Sequence, residues 1–186
     1  QQAINVTGDV SLNTSTFNST LAGVISGTAN ITKQGSGILN LQGVNTFVGD
    51  IKVTAGTLGL VNDNNLGAAS NKLTLTDATL LANQSLVLNH QLDIVNQATL
   101  DSAANTLTVD SVVAGGSLVK TGTGVVELAN ANNAQSETVV NQGILQVSNN
   151  NNLGVAAAKV VLNGGIFQSI ATQSYARDFT VGVNHG

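Results

Sequence analysis

The sequence predicts an all-β fold, a parallel β-helix in which short strands stack coil upon coil. The 186-residue chain is poor in helix-favouring Glu, Lys, Arg and Met and rich in Val, Ile, Leu and Thr. Short alternating apolar runs recur at a spacing of roughly 8 to 12 residues. A long segment of the chain then returns after an offset of 87 residues, which is typical of stacked repeats.

The composition limits the classes of protein and partner. Charged residues make up 9% of the chain, against roughly 25% in an average soluble domain, and the net charge is −4. Nucleic-acid binding draws on clustered basic side chains, so the single, scattered positions argue against such a partner. The basic residues are Lys33, Lys52, Lys72, Lys120, Lys159 and Arg177. With no Cys, the chain has neither disulfides nor thiolate metal sites.

The predicted strands follow one another from end to end, separated by Gly, Asn, Asp and Ser that favour tight turns. No stretch shows an amphipathic stripe of helical length, and no apolar run approaches the ~20 residues of a membrane span. The clearest runs are 38–41, 52–53, 58–60, 73–75, 86–88, 92–94, 107–109, 125–128, 139–140, 145–147, 160–162 and 179–181.

The internal repeat favours a solenoid over a sandwich or barrel. The segment "ITKQGSGILNLQG" from Ile31 aligns without a gap with "LVKTGTGVVELAN" from Leu118, and "NNLG" at 64–67 returns at 151–154. At 20 to 25 residues per coil, the unit is about four coils. We therefore predict about eight coils, a rod on the order of 40 Å long, and repeat units of about 23–109 and 110–186.

The same segments resemble the passenger-associated transport repeat of bacterial autotransporters over roughly residues 23–182. The elements of the pattern are "GVISG", "ITKQGSGILNLQG", "NTFVGDIKV", "AGTL" and "NNLG", then "GGSLVKTGTGVVEL", "NQGIL", "GGIFQS" and "ARDFTVG". The second unit departs from the pattern where Ala134, Ser136 and Thr138 replace Phe47, Gly49 and Ile51 in the ungapped alignment.

The resemblance implies a right-handed β-helix from a type V secretion passenger, displayed on or released from a Gram-negative cell. It implies that an outer-membrane β-barrel follows in the parent protein. The expected partners are a host-cell or matrix surface, or further copies of the chain. Because the chain starts with neither a signal peptide nor an initiating Met, we interpret it as a piece of a longer protein.

The glycine pairs after Lys33 and Lys120 raise the possibility of a phosphate-binding loop. "GSG" and "GTG" are too short for the P-loop pattern and no helix is predicted after them, so we interpret them as turns that use positive φ. We expect the two lysines to lie in solvent, with pairing to a carboxylate one coil away as the alternative.

The other candidate chemistry is sparse. His90 is three residues from Asp93, which suggests a metal or catalytic pair, but the two side chains point to opposite faces of a strand, and an exposed turn histidine is favoured. His185 lies beside the end of the chain. A carbohydrate-active β-helix would need paired carboxylates on adjacent coils, for which Asp93 with Asp110, or Asp77 with Asp101, have suitable spacing.

The asparagine runs at 62–65 and 149–152 are interpreted as turn caps, with an adhesive role as the alternative. We therefore predict no catalytic, cofactor-binding or metal-binding residues and no cofactor. The leading function is a non-enzymatic structural or adhesive passenger segment. A folding and export module that depends on inward residues such as Leu41 and Leu128 is the alternative, and a carbohydrate-active enzyme is a third.

Overall fold

The computed structural model describes residues 2–182 and contains parallel strands and two short 3-10 helices. The 3-10 helices are Asp63–Leu66 and Asn150–Leu153. The strands are β1 (Ile4–Val6), β2 (Val10–Asn13), β3 (Ser19–Leu21), β4 (Ile25–Gly27), β5 (Ile31–Gln34), β6 (Ile38–Leu41), β7 (Ile51–Val53), β8 (Thr57–Leu60), β9 (Leu73–Ala82), β10 (Leu86–Leu88), β11 (Leu92–Asp101), β12 (Thr106–Val109), β13 (Val113–Thr121), β14 (Val125–Leu128), β15 (Ala134–Val140), β16 (Ile144–Val147), β17 (Lys159–Leu162), β18 (Ile166–Ser169) and β19 (Phe179–Val181).

The strands stack into long parallel ladders, each forming one face of a solenoid. Face A comprises β2, β5 and β7 with the first residues of β9, β11, β13 and β15. Face B comprises β3, β6 and β8, the last residues of β9, β11, β13 and β15, and then β17 and β19. Face C comprises β10, β12, β14, β16 and β18. The predicted parallel β-helix is therefore confirmed.

Residues 2–182 form about nine turns, where about eight were predicted. The difference arises because the coils lie at the short end of the 20 to 25 residues assumed from sequence. On face A the register runs from Val10 to Ile31, Ile51, Leu73, Leu92 and Val113, which gives coils averaging about 20 residues. No helix in this part of the chain is long and apolar enough to cross a membrane.

The core is a narrow column of aliphatic side chains inside the coils. Each strand directs alternate residues inward, so Leu58, Leu80 and Leu100 stack on one another in register along face B and are almost completely buried. Phe47 is the one aromatic side chain among the fully buried residues of the described chain. Stacking in register explains why the bore holds mainly Leu, Val, Ile and Ala.

The repeat does not return to the same face. Lys33 lies on face A, and four coils later the residue stacked at its position is Gly115. The sequence counterpart of Lys33 is Lys120, which lies further along the same strand, on face B. Leu41 likewise lies on face B and its counterpart Leu128 on face C. The repeat thus advances four coils and one face, where four coils were predicted. The unit bounds 23–109 and 110–186 stay a prediction.

The ungapped alignment is also wrong by one residue over a short stretch. The carbonyl of Phe47 accepts a hydrogen bond from Ala68 N at 3.0 Å, and its structural counterpart is Gln135, whose carbonyl accepts from Val155 N at 3.2 Å. Sequence alignment paired Phe47 with Ala134 instead. The second unit therefore fills the buried Phe47 position with Gln135, and both side chains are fully enclosed.

Candidate functional site

The glycine pair of the first unit forms a turn built around the ammonium group of Lys33. Lys33 ends face A with its side chain directed into the bore, and its exposed fraction is 0%. Its Nζ donates hydrogen bonds to the carbonyl oxygens of Gly35 at 2.5 Å, Gly37 at 2.6 Å and Ala55 at 2.9 Å. Since Ala55 belongs to the next coil, the lysine joins two successive coils at one corner of the solenoid.

The second unit builds the same cap on a different corner, between faces B and C. Lys120 is also 0% exposed. Its Nζ donates to the carbonyl oxygens of Thr121 at 2.6 Å, Gly122 at 2.7 Å and Gln142 at 3.1 Å, and to Ser102 Oγ at 3.0 Å. Ser102 belongs to the previous coil and Gln142 to the next, so this lysine links three coils.

The expectation that both lysines lie in solvent is wrong. A turn that closes against the bore points several carbonyl oxygens inward, and a long side chain with three N–H donors satisfies them. Burial lowers the pKa of Lys33, and it lowers the pKa of Lys120 to about 8, where the negative charge of Asp101 opposes the shift. The two cations are structural, and their acceptors are mainly backbone carbonyls.

The glycines are required by the lysine cap. Gly35 and Gly122 have φ of 81° and 76°, a conformation that side chains with a Cβ rarely adopt. A Cβ on Gly56 in the next coil would lie 2.6 Å from Lys33 Nζ, and one on Gly143 would lie 2.8 Å from Lys120 Nζ. The interpretation of "GSG" and "GTG" as turns is confirmed, because their carbonyls face inward and bind the chain's own ammonium groups.

The asparagine runs form the caps of the two 3-10 helices. Asn62 and Asn149 are the N-cap residues, and in both turns a capping box is complete. The buried Asn65 accepts hydrogen bonds from Val61 N and Asn62 N, and its Nδ2 donates to Gly43 O at 2.8 Å. The structural interpretation of 62–65 and 149–152 is therefore confirmed.

His90 is buried, so the expected exposed turn histidine is wrong. Its exposed fraction is 2%, and its partner is Asp63 rather than Asp93: Nδ1 lies 2.9 Å from Asp63 Oδ1. Nε2 lies 3.0 Å from Ala68 O. Sequence reasoning missed this pair because 27 residues separate its members. His185 lies outside the described residues.

The candidate carboxylate pairs are not brought together. Asp93 stacks between Thr74 and Ala114 on face A, and its Oδ1 accepts a hydrogen bond from Gln91 Nε2 at 2.7 Å. Its proposed partner Asp110 follows β12, on face C. The register therefore stacks Asp93 on no other carboxylate, and Asp110 lies on a different face.

The second candidate pair is also separated. Asp77 lies at the corner between faces A and B, where Asn96 Nδ2 donates to its Oδ2 at 3.0 Å, and Asp101 stacks between Leu81 and Thr121. Within residues 2–182 no group of three or more His, Asp or Glu side chains is placed to hold a metal ion.

The outer surface of face B carries a ladder of hydroxyl side chains. Thr57, Thr79 and Thr99 stack in register on successive coils and alternate along their strands with buried leucines. Thr79 and Thr99, with Asp77 and Gln97, line a shallow groove of about 170 Å³ beside the corner. The arrangement offers a row of small polar contacts over three successive coils.

Comparison with known proteins finds two copies of one repeat, and each copy contains one of the lysine-capped turns. The family model described as Passenger-associated-transport-repeat matches residues 31–60 and 118–147. The chain is also 36% identical over 107 residues to the protein named adhesin BmaC autotransporter, from Brucella suis biovar 1 (strain 1330). That alignment covers 56% of this chain and 3% of the relative, so the chain spans a small part of its length. No solved structure matches the chain significantly.

The predicted resemblance to autotransporter passengers is confirmed by these matches. The two matched segments have the same length, and Lys33 and Lys120 occupy the same position in them. The buried ammonium cap is thus a shared feature of both repeats of this chain.

Proposed function

We propose that this chain, with its two passenger-associated transport repeats, is a non-enzymatic adhesive segment of a surface-displayed autotransporter passenger. Its outer faces bind a host-cell or matrix surface, or another copy of the chain. It is exported through the outer membrane of a Gram-negative cell. The observation that carries the proposal is the hydroxyl ladder of face B, because it repeats an uncharged polar contact at the ~4.8 Å spacing of stacked strands.

The binding mode is extended and polar. Each hydrogen bond in water contributes only about 1 kcal/mol, so affinity requires many coils to act together. The hydroxyl ladder spans three coils, at Thr57, Thr79 and Thr99, and the strands of face B continue in register beyond it on both sides, so that a ligand can lie along the axis. A net charge of −4 over 186 residues leaves little long-range repulsion between copies. Similarity to a protein named as an adhesin supports this proposal.

Deletion of residues 31–112 from the full-length protein is expected to reduce adhesion or autoaggregation while display continues. Val113 stacks in the same face A ladder as Ile31, so the deletion removes four whole coils and leaves the stacking register intact. Surface display is measured by antibody labelling of intact cells, and adhesion by cell counts on host cells and sedimentation of suspensions.

A second variant shows whether adhesion depends on the polar surface of face B or only on the length of the rod. Thr79→Lys with Thr99→Lys keeps every coil and places two like charges on the ladder of face B, and adhesion is expected to fall. Thr108→Lys, on face C, is the matched control. If adhesion is unchanged in both the deletion and the double variant, this chain acts as a spacer and the adhesive role is wrong.

An export function is the second candidate, and the inward position of Leu128 favours it. Leu128 lies in the bore and is fully buried, so Leu128→Asp places a charge among aliphatic side chains. Folding of the stack outside the cell then fails, and surface display is expected to drop several-fold, with Glu127→Asp on the outer side as control. If adhesion drops while display stays at the wild-type level, the stack is not what drives export.

A further inference from the structure

The sequence repeat places a basic side chain over each of the two "NNLG" turns. His90 lies over the first turn, and Arg177, its counterpart 87 residues later, lies over the second. Asp63, the partner of His90, has Asn150 as its counterpart, and Arg177 Nε donates to Asn150 Oδ1 at 3.0 Å. In each unit a basic side chain thus holds the 3-10 turn, an arrangement that we call the clasp. The first clasp pairs His90 with a carboxylate, and the second pairs Arg177 with an amide.

In the clasp of the second unit, every hydrogen bond is donated by the guanidinium group of Arg177, which is always charged. Arg177 also donates from Nη2 to Asn150 O at 2.7 Å and from Nη1 to Leu153 O at 2.9 Å and Val155 O at 3.3 Å. A guanidinium stays protonated throughout the range in which proteins fold. These bonds therefore persist over the whole of that range.

The clasp of the first unit titrates. His90 Nδ1 faces the Asp63 carboxylate and Nε2 faces Ala68 O, and both oxygens can only accept hydrogen bonds. Asn89 holds the carboxylate in its ionised form, since its N donates to Asp63 Oδ1 at 3.0 Å and its Nδ2 to Oδ2 at 3.2 Å. Only an imidazolium, with a proton on each nitrogen, satisfies both acceptors.

We propose that His90 and Asp63 form a pH-sensitive latch on the first 3-10 turn, closed by the protonated histidine and opened by its deprotonation. Loss of the proton on Nε2 removes the bond to Ala68 and leaves two buried lone pairs facing each other. The turn at 63–68 then loosens from the following coil, while the second turn stays clasped by Arg177.

The electrostatic surroundings support the closed state in mild acid. Burial alone would lower the pKa of His90, but its hydrogen bond to Asp63, the charge of that carboxylate and the nearby carbonyls raise it above its ordinary value. Burial would raise the pKa of Asp63, but the bonds from His90 and Asn89 hold it below its ordinary value. Among the charged groups on the neighbouring segments, Lys72 and Asp110 are exposed, and Asp93 is half-buried, where its carboxylate accepts a hydrogen bond from Gln91 Nε2.

The sign of the pH dependence follows from these shifts. A raised histidine pKa contributes stability that is complete below about pH 6.5 and is lost as the pH rises through the folded-state value. A lowered aspartate pKa contributes stability that is complete above about pH 3.9 and is lost as the pH falls through the folded-state value. The latch is therefore strongest between roughly pH 4 and 6.5.

Hydrogen exchange in the 186-residue chain tests the proposal with an internal control. The backbone amides at 64–68 are compared with those at 151–155 in the same sample, so the intrinsic pH dependence of exchange cancels in the ratio. We expect opening of the first turn, relative to the second, to rise by up to tenfold per pH unit between pH 6.5 and the pKa of His90. A ratio that does not change with pH overturns the proposal.

Two further measurements keep the test independent of folding defects. NMR titration of the unmodified chain, with His185→Gln used to assign the two histidines, is expected to give His90 a pKa above 6.5, and a value at or below 6.5 overturns the latch. The variant Asp63→Asn with His90→Arg gives the first turn the chemistry of the second and is expected to abolish the pH dependence. Persistence of that dependence in the variant contradicts the assignment.

Discussion

Replacing Lys120 with methionine is expected to cost about 3 kcal/mol of the free energy of unfolding. Methionine keeps the aliphatic stem but leaves the carbonyl oxygens of Gly122 and Gln142 without their donor, whereas Thr121 O keeps the hydrogen bond from Ser102 N at 3.2 Å. A buried acceptor left unpaired costs about 1 to 3 kcal/mol, and removal of one ammonium affects two at once. These acceptors belong to the backbone, so no substitution elsewhere can remove them. Urea denaturation followed by circular dichroism measures the change.

The control is Lys52→Met, which removes the same charge from an exposed position on face A. That substitution is expected to change stability by no more than about 0.5 kcal/mol. A Lys120→Met protein as stable as the Lys52→Met protein would show that water, rather than the ammonium group, satisfies the turn.

The dependence of this loss on pH provides a second readout of the same substitution. Burial lowers the folded-state pKa of Lys120 to about 8, whereas an unfolded lysine titrates near 10.4. Between these values the unfolded state binds more protons, so the stability of the wild type rises with pH. The stability difference between wild type and Lys120→Met is expected to widen from pH 8 to 10. A constant difference would contradict the lowered pKa.

The stacked fold could be predicted because its signals are local and repeated. Alternating apolar residues, turn-forming glycines and the recurrence of "NNLG" are each visible within a few positions of sequence. The register of Leu58, Leu80 and Leu100 follows directly from that alternation. The number of coils was less predictable, since corners differ by one or two residues and the errors add along the chain.

The buried cations could not be predicted with the same rules. A lysine before two glycines is ordinarily a solvated residue, and lysine is almost never fully buried unless it is paired. What reverses this at Lys33 is the set of inward carbonyls at 35, 37 and 55, and one of these belongs to another coil. Recurrence of the lysine at position 120 was not a sufficient signal, because Lys72 recurs as Lys159 after the same offset and both are exposed.

The clasp on the "NNLG" turn illustrates a related difficulty. His90 was compared with Asp93 because the two are close in sequence, but a solenoid brings together residues about one coil apart. The partner at Asp63 is 27 residues away, and its corner includes a 3-10 helix that lengthens the path. Aligning His90 with Arg177 across the repeat would have indicated a basic residue required at that corner.

Exchange of the buried side chains at 47 and 135 between the two units is expected to change stability in opposite directions. Phe47→Gln places an amide in a fully enclosed aliphatic site, where burial of unpaired polar groups and loss of the ring together cost about 3 kcal/mol or more. In the second unit, Gln135 Oε1 and Asn152 Nδ2 are buried without a partner. The wild-type second unit is therefore already destabilised by buried polar atoms that lack a hydrogen-bond partner.

Gln135→Phe with Thr138→Ile is the reciprocal change and is expected to stabilise the chain by about 1 kcal/mol. Both substitutions are needed because Gln135 Nε2 donates to Thr138 Oγ1 at 3.3 Å, so the single variant leaves a buried hydroxyl without its donor. Gly154, which approaches the Gln135 side chain as Gly67 approaches Phe47, leaves room for the ring. If the double variant is less stable than Gln135→Phe alone, residues 135 and 138 are not coupled as their hydrogen bond implies. If Gln135→Phe and the double variant both lose stability, the bore has closed around Gln135, and this site is no longer equivalent to the one that Phe47 fills in the first unit.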